Sequence, residues 1–395
     1  MKLKPCRFSL SALLGVLGLV PFGFGATRTV HVGLGGTKFV DAVSGNSTSN
    51  INTGDTIQWT WSAGFHSTTS GTCSSSCSPD GLWDSGEHGT PFSFSHTFSS
   101  DGTFTYYCTV HGTAMQGTVI VGPPPPAPTV TSVAPTSGPA GSGNAVSITG
   151  TNFVTGATVT VGGVAATGVS FVGATTLDAT TPVLSPGTLN DVVVTNPDTQ
   201  TGTLTQGWLA DFLDVPQADI FHDDVGIIFR NKITAGCGGG NYCRNAAVSR
   251  AQMAVFLLKA KLSSSYVPPA CAGIFADVAC PSPFADWIED LSNRGITTGC
   301  GGGNYCPDNP VTRQQMAVFL LRAHDGSAYT PPPCVGVFGD VPCTPGVGFP
   351  DWIEELYHRA ITGGCQASPL LFCPTNANNR GQMAVFLVKT FGLTP

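Results

Sequence analysis

Residues Phe104–Val121 read FTYYCTVHGTAMQGTVIV. A run rich in aromatic and β-branched residues enters a short loop and leaves through a second such run, the pattern of two strands joined across residues 108–115. The loop carries Cys108, His111 and Met115, and an earlier loop, AGFHSTT (63–69), supplies His66. One thiolate, two imidazoles and a thioether are the donor set of a mononuclear copper site with a weak axial sulfur. A single loop can wrap Cys, His and Met around one ion, while the second His, from a separate strand end, fixes the trigonal plane. Working outward, TIQWTW (56–61) places Ile57, Trp59 and Trp61 in strict alternation, as a half-buried strand requires. Residues 26–122 therefore read as one all-β unit.

From HVGLGG (31–36) through GTVIV (117–121), this unit resembles the cupredoxins, in particular the plastocyanin and azurin group. The resemblance implies a Greek-key barrel in which His66, Cys108 and His111 are in-plane copper ligands and Met115 the axial one. Ser67 stands where many relatives place Asn, a departure that bears on hydrogen bonding to the thiolate. The plainer alternative is a copper-free cupredoxin fold with an incidental buried thiol. Four ligands in order, one of them the only unpaired cysteine of the mature chain, favour copper. His31, His88 and His96 read as surface or strand histidines.

The chain has 395 residues, room for two to four domains of roughly 100–200 residues each. Only 10% are charged, against about 25% on average, with 50 Gly and 30 Pro. That texture fits extracellular β-domains joined by turns. The 41% hydrophobic content is enough to build cores, so disorder is excluded. MKLKPCR followed by FSLSALLGVLGLVPF and the small residues Gly23 and Gly25 reads as a secretory signal peptide over residues 1–25, cleaved before Ala26. The apolar run is too short for a membrane span and is broken by Pro21. No later segment is a candidate span. Removing Lys2, Lys4 and Arg7 takes the net charge from −7 to near −10, a poor match to nucleic acid or anionic lipid.

Of fourteen cysteines, Cys6 lies in the leader and twelve form six close pairs: Cys73 with Cys77, Cys237 with Cys243, Cys271 with Cys280, Cys300 with Cys306, Cys334 with Cys343 and Cys365 with Cys373. In an oxidising compartment these are expected disulfides. Zinc is the alternative, but the C-terminal pairs have no His at a regular offset. The Cys73 and Cys77 pair, beside Trp83 and His88, reads as a stapled insertion near the ligand loop.

PPPPAP (123–128) is a polyproline spacer. Residues 129–210 carry short strand-like runs separated by turn residues. VTSVAPTSGPAGSGNAVSITGTNF (130–153), ATVTVGGVAAT (157–167) and VVVTNPDTQTG (192–202) resemble the IPT/TIG immunoglobulin-like domains, implying an all-β sandwich that serves as a spacer.

From 211 onward the chain repeats itself. QMAVFLLKA at 252, QMAVFLLRA at 315 and QMAVFLVKT at 382 lie 63 and 67 residues apart. The pattern FADV (275–278), DWIEDLSNRGITTGCGGGNYC (286–306) and VTRQQMAVFLLRA (311–323) resembles S-layer homology repeats, three in all at about 211–262, 271–325 and 334–395. The resemblance implies α-helical units that bind a cell-wall polysaccharide or peptidoglycan-linked polymer. Asp286/Glu289 and Asp351/Glu354 fit capping boxes for the first helix of a repeat. Ser249/Gln252 and Thr312/Gln315 fit boxes for the second helix, and Asn379/Gln382 approximates one. The family's TRAE motif falls on these second boxes with Gln in place of Glu, which keeps the cap and removes a charge. Its polymer-holding arginine falls on Arg250, Arg313 and Arg380; three helix-start arginines in structural salt bridges are the alternative. The GCGGGNYC loops lack the Lys-Ser/Thr of a phosphate loop and read as tight turns locked by a disulfide. Repeat one departs, with Asp224 where the others have Trp287 and Trp352.

Taken together, the expectation is an exported, envelope-attached blue-copper protein that passes single electrons between extracytoplasmic redox partner proteins, a carrier and not an enzyme. Copper sequestration or delivery is the first alternative, and a structural envelope protein with a cupredoxin module the second.

Overall fold

The computed structural model describes residues 25–123, 125–141, 143–344 and 346–395. The expected leader lies outside the described residues except for Gly25. The chain divides into two compact units, one built on the residues before 128 together with 196–200 and the other on the remainder.

The first unit holds β1 (Thr27–Val32), β2 (Phe39–Asp41), β3 (Thr48–Asn52), β4 (Thr56–Trp61), β5 (Phe65–His66), β6 (Thr69–Cys73), β7 (Cys77–Asp84), β8 (His88–Gly89), β9 (Ser93–Thr97), β10 (Gly102–Cys108) and β11 (Gly112–Gly122). Two larger sheets form, in the orders β2-β1-β4-β9 and β3-β11-β10-β6-β7, and β5 pairs with β8 in a separate two-stranded ribbon. The β1/β4 and β3/β11 pairs are parallel and the other pairs in these sheets antiparallel. The alternation in TIQWTW is realised: Ile57, Trp59 and Trp61 are buried while Thr56, Gln58 and Thr60 are half-buried. Trp59 stacks on Trp83 and meets Tyr106 edge-on, with ring centroids 5.4 Å apart in both pairs. This aromatic core anchors β10, and with it Cys108.

The second unit opens with β12 (Thr129–Ala134), β13 (Ser137–Gly138), β14 (Ala145–Thr151), β15 (Thr158–Val161), β16 (Val164–Ala165), β17 (Thr167–Gly173), β18 (Thr176–Thr180), β19 (Thr188–Thr195) and β20 (Thr201–Ala210). These form a sandwich of sheets β12-β14-β18-β17 and β13-β20-β19-β15-β16 around Ile148, Leu177 and Trp208.

Among the described residues, six helices follow: α1 (His222–Arg230), α2 (Arg250–Lys261), α3 (Ala285–Asn293), α4 (Arg313–Asp325), α5 (Pro350–His358) and α6 (Arg380–Phe391). A two-strand ribbon, β21 (Gln366–Ala367) and β22 (Leu370–Leu371), precedes α6. α2, α4 and α6 each begin in a complete capping box, with Ser249, Thr312 and Asn379 at the cap and Gln252, Gln315 and Gln382 at the third helical position. The boxes expected for the first helices are not formed. α3 starts two residues earlier than that reading requires, at Ala285, with Phe284 at the cap and no side-chain capping bond; α5 is offset in the same way and follows Phe349. Asp286 and Glu289 therefore turn toward the preceding disulfide loop, where Asp286 accepts from the Cys271 N–H and Glu289 from the N–H groups of Ala272, Gly273 and Ile274. Asp351 and Glu354 hold the Cys334 loop in the same way. Repeat one has no such disulfide loop among the described residues, and the equivalent of Glu289 is Gly226.

All six expected cysteine pairs are bonded: Cys73–Cys77, Cys237–Cys243, Cys271–Cys280, Cys300–Cys306, Cys334–Cys343 and Cys365–Cys373. The bonds do different work. Cys243, Cys306 and Cys373 each close a loop in a left-handed conformation, with φ of 61°, 59° and 57°. The first two lock tight turns, as expected of the GCGGGNYC loops, and Cys365–Cys373 closes the equivalent loop of the third repeat. Cys280 and Cys343 instead close the wider loops whose N–H groups Glu289 and Glu354 collect. The zinc alternative fails at all five C-terminal pairs, because each sulfur is spent on its partner. An acid does lie beside three of them, Asp277 at Cys300–Cys306, Glu354 at Cys334–Cys343 and Asp340 at Cys365–Cys373. Asp277 and Asp340 accept from the backbone N–H groups of Tyr305 and Cys306 and of Phe372 and Cys373, so loop closure accounts for them.

The three helix pairs close on one another. The Val248 N–H donates to the Asn378 carbonyl, Val311 to Val248, and Asn378 to Val311, a cyclic set of three backbone bonds. Among the described residues, no helix is long and apolar enough to cross a membrane.

Candidate metal centre and the arginine grooves

Cys108 closes β10, His111 lies in the turn to β11, Met115 sits on β11, and His66 ends β5. Cys108 and Met115 are wholly buried and His66 nearly so, while His111 is half-buried. The ligand atoms of His66, Cys108 and His111 all lie within 4.8 Å of one another. Cys108 Sγ is 3.8 Å from His66 Nδ1 and 3.3 Å from His111 Nδ1, and the two Nδ1 atoms are 3.2 Å apart. Both rings thus turn the same nitrogen toward the thiol. Burial and the neighbouring His111 hold the His66 pKa below its ordinary value.

Local backbone chemistry fixes this aim. Gly33 and Gly64 both have positive φ, and a Cβ on either would come within 2.7 Å and 2.5 Å of His66 Nε2. Only glycine permits these turns to press on the back of the ring. The departure at Ser67 is answered by the main chain: the Ser67 N–H donates to Cys108 Sγ at 3.3 Å. Ser67 Oγ accepts from the Thr109 N–H, and Thr109 Oγ1 donates to Glu87 Oε1. The loops on either side of the thiol are thereby tied together, a network that sequence spacing does not disclose. Cys108 is the one free cysteine among the described residues. His88 stacks on Phe92, His96 packs on Trp83, and His31 lies 3.3 Å from Ser62 Oγ, so none joins the cluster.

The donor set fits copper. A soft thiolate with two imidazoles suits a copper ion, and a fully buried thioether is available as a weak fourth donor.

In the helical module, Arg250, Arg313 and Arg380 are 4%, 4% and 5% exposed. Their partners are not carboxylates. Each Nε donates to a backbone carbonyl of the next repeat in the ring: Arg250 to Tyr305, Arg313 to Phe372 and Arg380 to Tyr242. Each guanidinium also lies over two aromatic rings, as Arg313 does over Phe372 and Phe386. Arg380 Nη2 donates to Thr234 Oγ1, whereas Nη2 of Arg250 and of Arg313 is buried without a partner. Two grooves of about 210 and 280 Å³ reach these side chains. Arg250, Thr297 and Gln315 line one, and Arg313, Thr362 and Gln382 the other.

The family model for the IPT/TIG domain matches residues 128–207, and that for the S-layer homology domain matches residues 277–317. The chain therefore carries an IPT/TIG domain and, within the second of its three helix pairs, an S-layer homology domain. No curated protein matches the chain. Similar solved structures include a novel purple cupredoxin from Nitrosopumilus maritimus, at 24% identity over 24% of this chain and 98% of that one, with a TM-score of 0.20. A mutant of amicyanin in its Cu(I) form is 20% identical over 24% of this chain and 82% of its own, with a TM-score of 0.19.

Proposed function

We propose that this is an exported, cell-envelope-attached blue-copper protein that transfers single electrons outside the cytoplasm, with its helical module holding a cell-wall polymer. The observation that carries the reading is the convergence of Cys108 Sγ, His66 Nδ1 and His111 Nδ1 around a thiol kept out of every disulfide. Bound copper would supply a one-electron couple. The chain's own part is to hold the thiolate with the Ser67 amide, to set both imidazoles by packing, and to exclude water through the Trp59–Trp83–Tyr106 core. His111 is the ligand that reaches the surface. Exposed Phe65, Val110 and Ala114 lie close to the ligands in sequence and provide apolar side chains for a redox partner to meet. The disulfides support an oxidising compartment. The S-layer homology match supports envelope attachment, as do the two grooves whose arginines keep an unpaired N–H group.

The test is the visible spectrum and voltammetry of the copper-loaded protein. An intense blue-to-purple or green charge-transfer band, absent in Cys108→Ser, and a reversible one-electron wave are expected. Copper lost on reduction would favour sequestration or delivery. For attachment, a chain ending at Pro128 should bind copper and no longer sediment with cell envelopes; equal partition of the short and full chains would reject wall binding.

A further inference from the structure

Asp55, in the turn before β4, is 9% exposed, and its two carboxylate oxygens accept only main-chain N–H donors. Oδ2 accepts from the Asn52 N–H at 2.9 Å, and Oδ1 accepts from the nitrogen of Ala26 at 2.7 Å. Among the described residues, no Lys, Arg or His nitrogen lies within 4 Å of it. Arg28, on the adjacent strand, is committed to Asp41 through two bonds of 2.8 Å. A carboxylate this deeply buried without a counter-ion is costly, because neutral amides offset only part of its lost hydration.

The missing charge can come from the nitrogen already in place. Gly25 is wedged against the backbone: a Cβ there would fall 1.8 Å from the Gly54 carbonyl oxygen and 2.7 Å from the Asp55 nitrogen. Ala26 is held from the other side, since its carbonyl accepts from the Thr56 N–H where β1 runs parallel to β4. The site accepts the Ala26 nitrogen and tolerates nothing larger than glycine before it.

We infer that hydrolysis of the Gly25–Ala26 bond completes the first domain: water adds across the amide, Gly25 leaves as a carboxylate, and the Ala26 nitrogen takes a proton to become the ammonium partner of Asp55. A peptidase acting during export is the catalyst required, so the inference rests on the export reading above. Its consequence is a lock on β1, which carries Val30 and Val32 of the core and borders Gly33, the residue behind His66. Removal of the leader then does more than release the chain; it supplies the charge that a buried acid in the fold lacks.

Three forms of the full mature chain test this: residues 26–395, the same chain N-acetylated at Ala26, and residues 25–395, each with and without Asp55→Asn. Acetylation keeps an N–H donor and removes only the charge. It should lower the folding constant of the first domain about tenfold, the difference between a charged and a neutral donor to a carboxylate. In the Asp55→Asn background acetylation should change it by less than about twofold. Residues 25–395 should behave like the acetylated chain. Equal stability of the free and acetylated chains with Asp55 intact would overturn the lock. Mass spectrometry of protein recovered outside the cell should show a chain beginning at Ala26. A start at another residue would overturn the assignment of the site, and a retained leader would overturn the export reading itself.

Discussion

Replacing Arg313 by alanine separates a structural arginine from one that exists to hold a ligand. Its Nε–H bonds the Phe372 carbonyl at 2.7 Å inside a closed core, and a charged donor of this kind contributes about 1.5–3 kcal/mol. Its guanidinium carbon lies 4.7 Å from the Phe372 ring centroid and 5.7 Å from that of Phe386, together adding about 1 kcal/mol. Against this, the variant is relieved of an Nη2 that has no partner. Burial also lowers the arginine's pKa, a sign that the charge is held at some cost. The net expected loss is about 3 kcal/mol. For a module of this size that corresponds to a melting temperature lower by roughly 6–12 °C. The assay is thermal unfolding followed by far-ultraviolet circular dichroism, to which the helices contribute most. Arg313→Lys should recover little, because a lysine cannot both bond the carbonyl and lie flat between two rings. An unchanged melting temperature together with lost envelope retention would refute this reasoning and make the side chain a ligand contact alone. It also follows that replacing Arg250, Arg313 and Arg380 together unfolds the ring, so polymer contact is better probed through Lys389 and Arg322, which line the same grooves.

Three further outcomes are expected. Asn378 is fully buried with neither side-chain amide atom bonded, at the place where the other repeats have Val248 and Val311, so Asn378→Val should stabilise the module by about 1–3 kcal/mol in denaturant unfolding; a loss would mean that the amide is satisfied by ordered water. His222 donates to Asp211 and Asp223, and these bonds raise its pKa to about 9 from an ordinary 6.5 against the opposing effect of burial. Because the folded pKa is the higher one, this stabilisation is complete below pH 6.5 and lost as pH rises through about 9. It should remove about 1–2 kcal/mol after solvent screening, with no such slope in His222→Gln. Finally, Thr109→Val, which breaks the link from Ser67 to Glu87, should move the copper reduction potential and the charge-transfer maximum while copper stays bound; an unchanged potential would show that the network does not reach the thiolate.

What could be read from the sequence is what depends on neighbours in sequence. The period-two burial of β4, the disulfides with partners four to nine residues away, and the capping boxes at Ser249, Thr312 and Asn379 are all set within a turn or two of chain. The nearness of Cys108 and His111 is legible for the same reason, and the convergence of His66 on them follows from a residue type chosen to complete a donor set. Partners distant in sequence are not legible. Asp286 and Glu289 have the spacing of a capping box, yet they serve a loop fifteen or more residues upstream. The arginines have the placing of surface charges awaiting carboxylates, but their acceptors are carbonyls 55 to 138 residues away. At Ser67 the side chain draws attention, while the bond to the thiol comes from the backbone, which every residue type except proline supplies.

The ring of repeats also bears on how the module can hold anything at all. In an open stack, a terminal repeat must present one bare face to solvent. Here the third repeat returns to the first: Arg380 bonds the Tyr242 carbonyl, the Tyr242 hydroxyl donates to the Arg380 carbonyl, and Asn378 accepts from Val248. No repeat is terminal, and the same joint is made three times. Groove and joint are also one structure, since Arg250 and Arg313 line grooves and close the ring with the same guanidinium. Under the proposed function, a polymer bound in a groove would contact residues of two repeats at once, and binding at one joint would stabilise the closed ring on which the other joints depend. The replacement of the family's Glu by Gln at 252, 315 and 382 fits this arrangement. Each amide still completes its capping box, and at Gln315 and Gln382, which line the grooves, an amide would not repel the anionic polymer proposed to bind there.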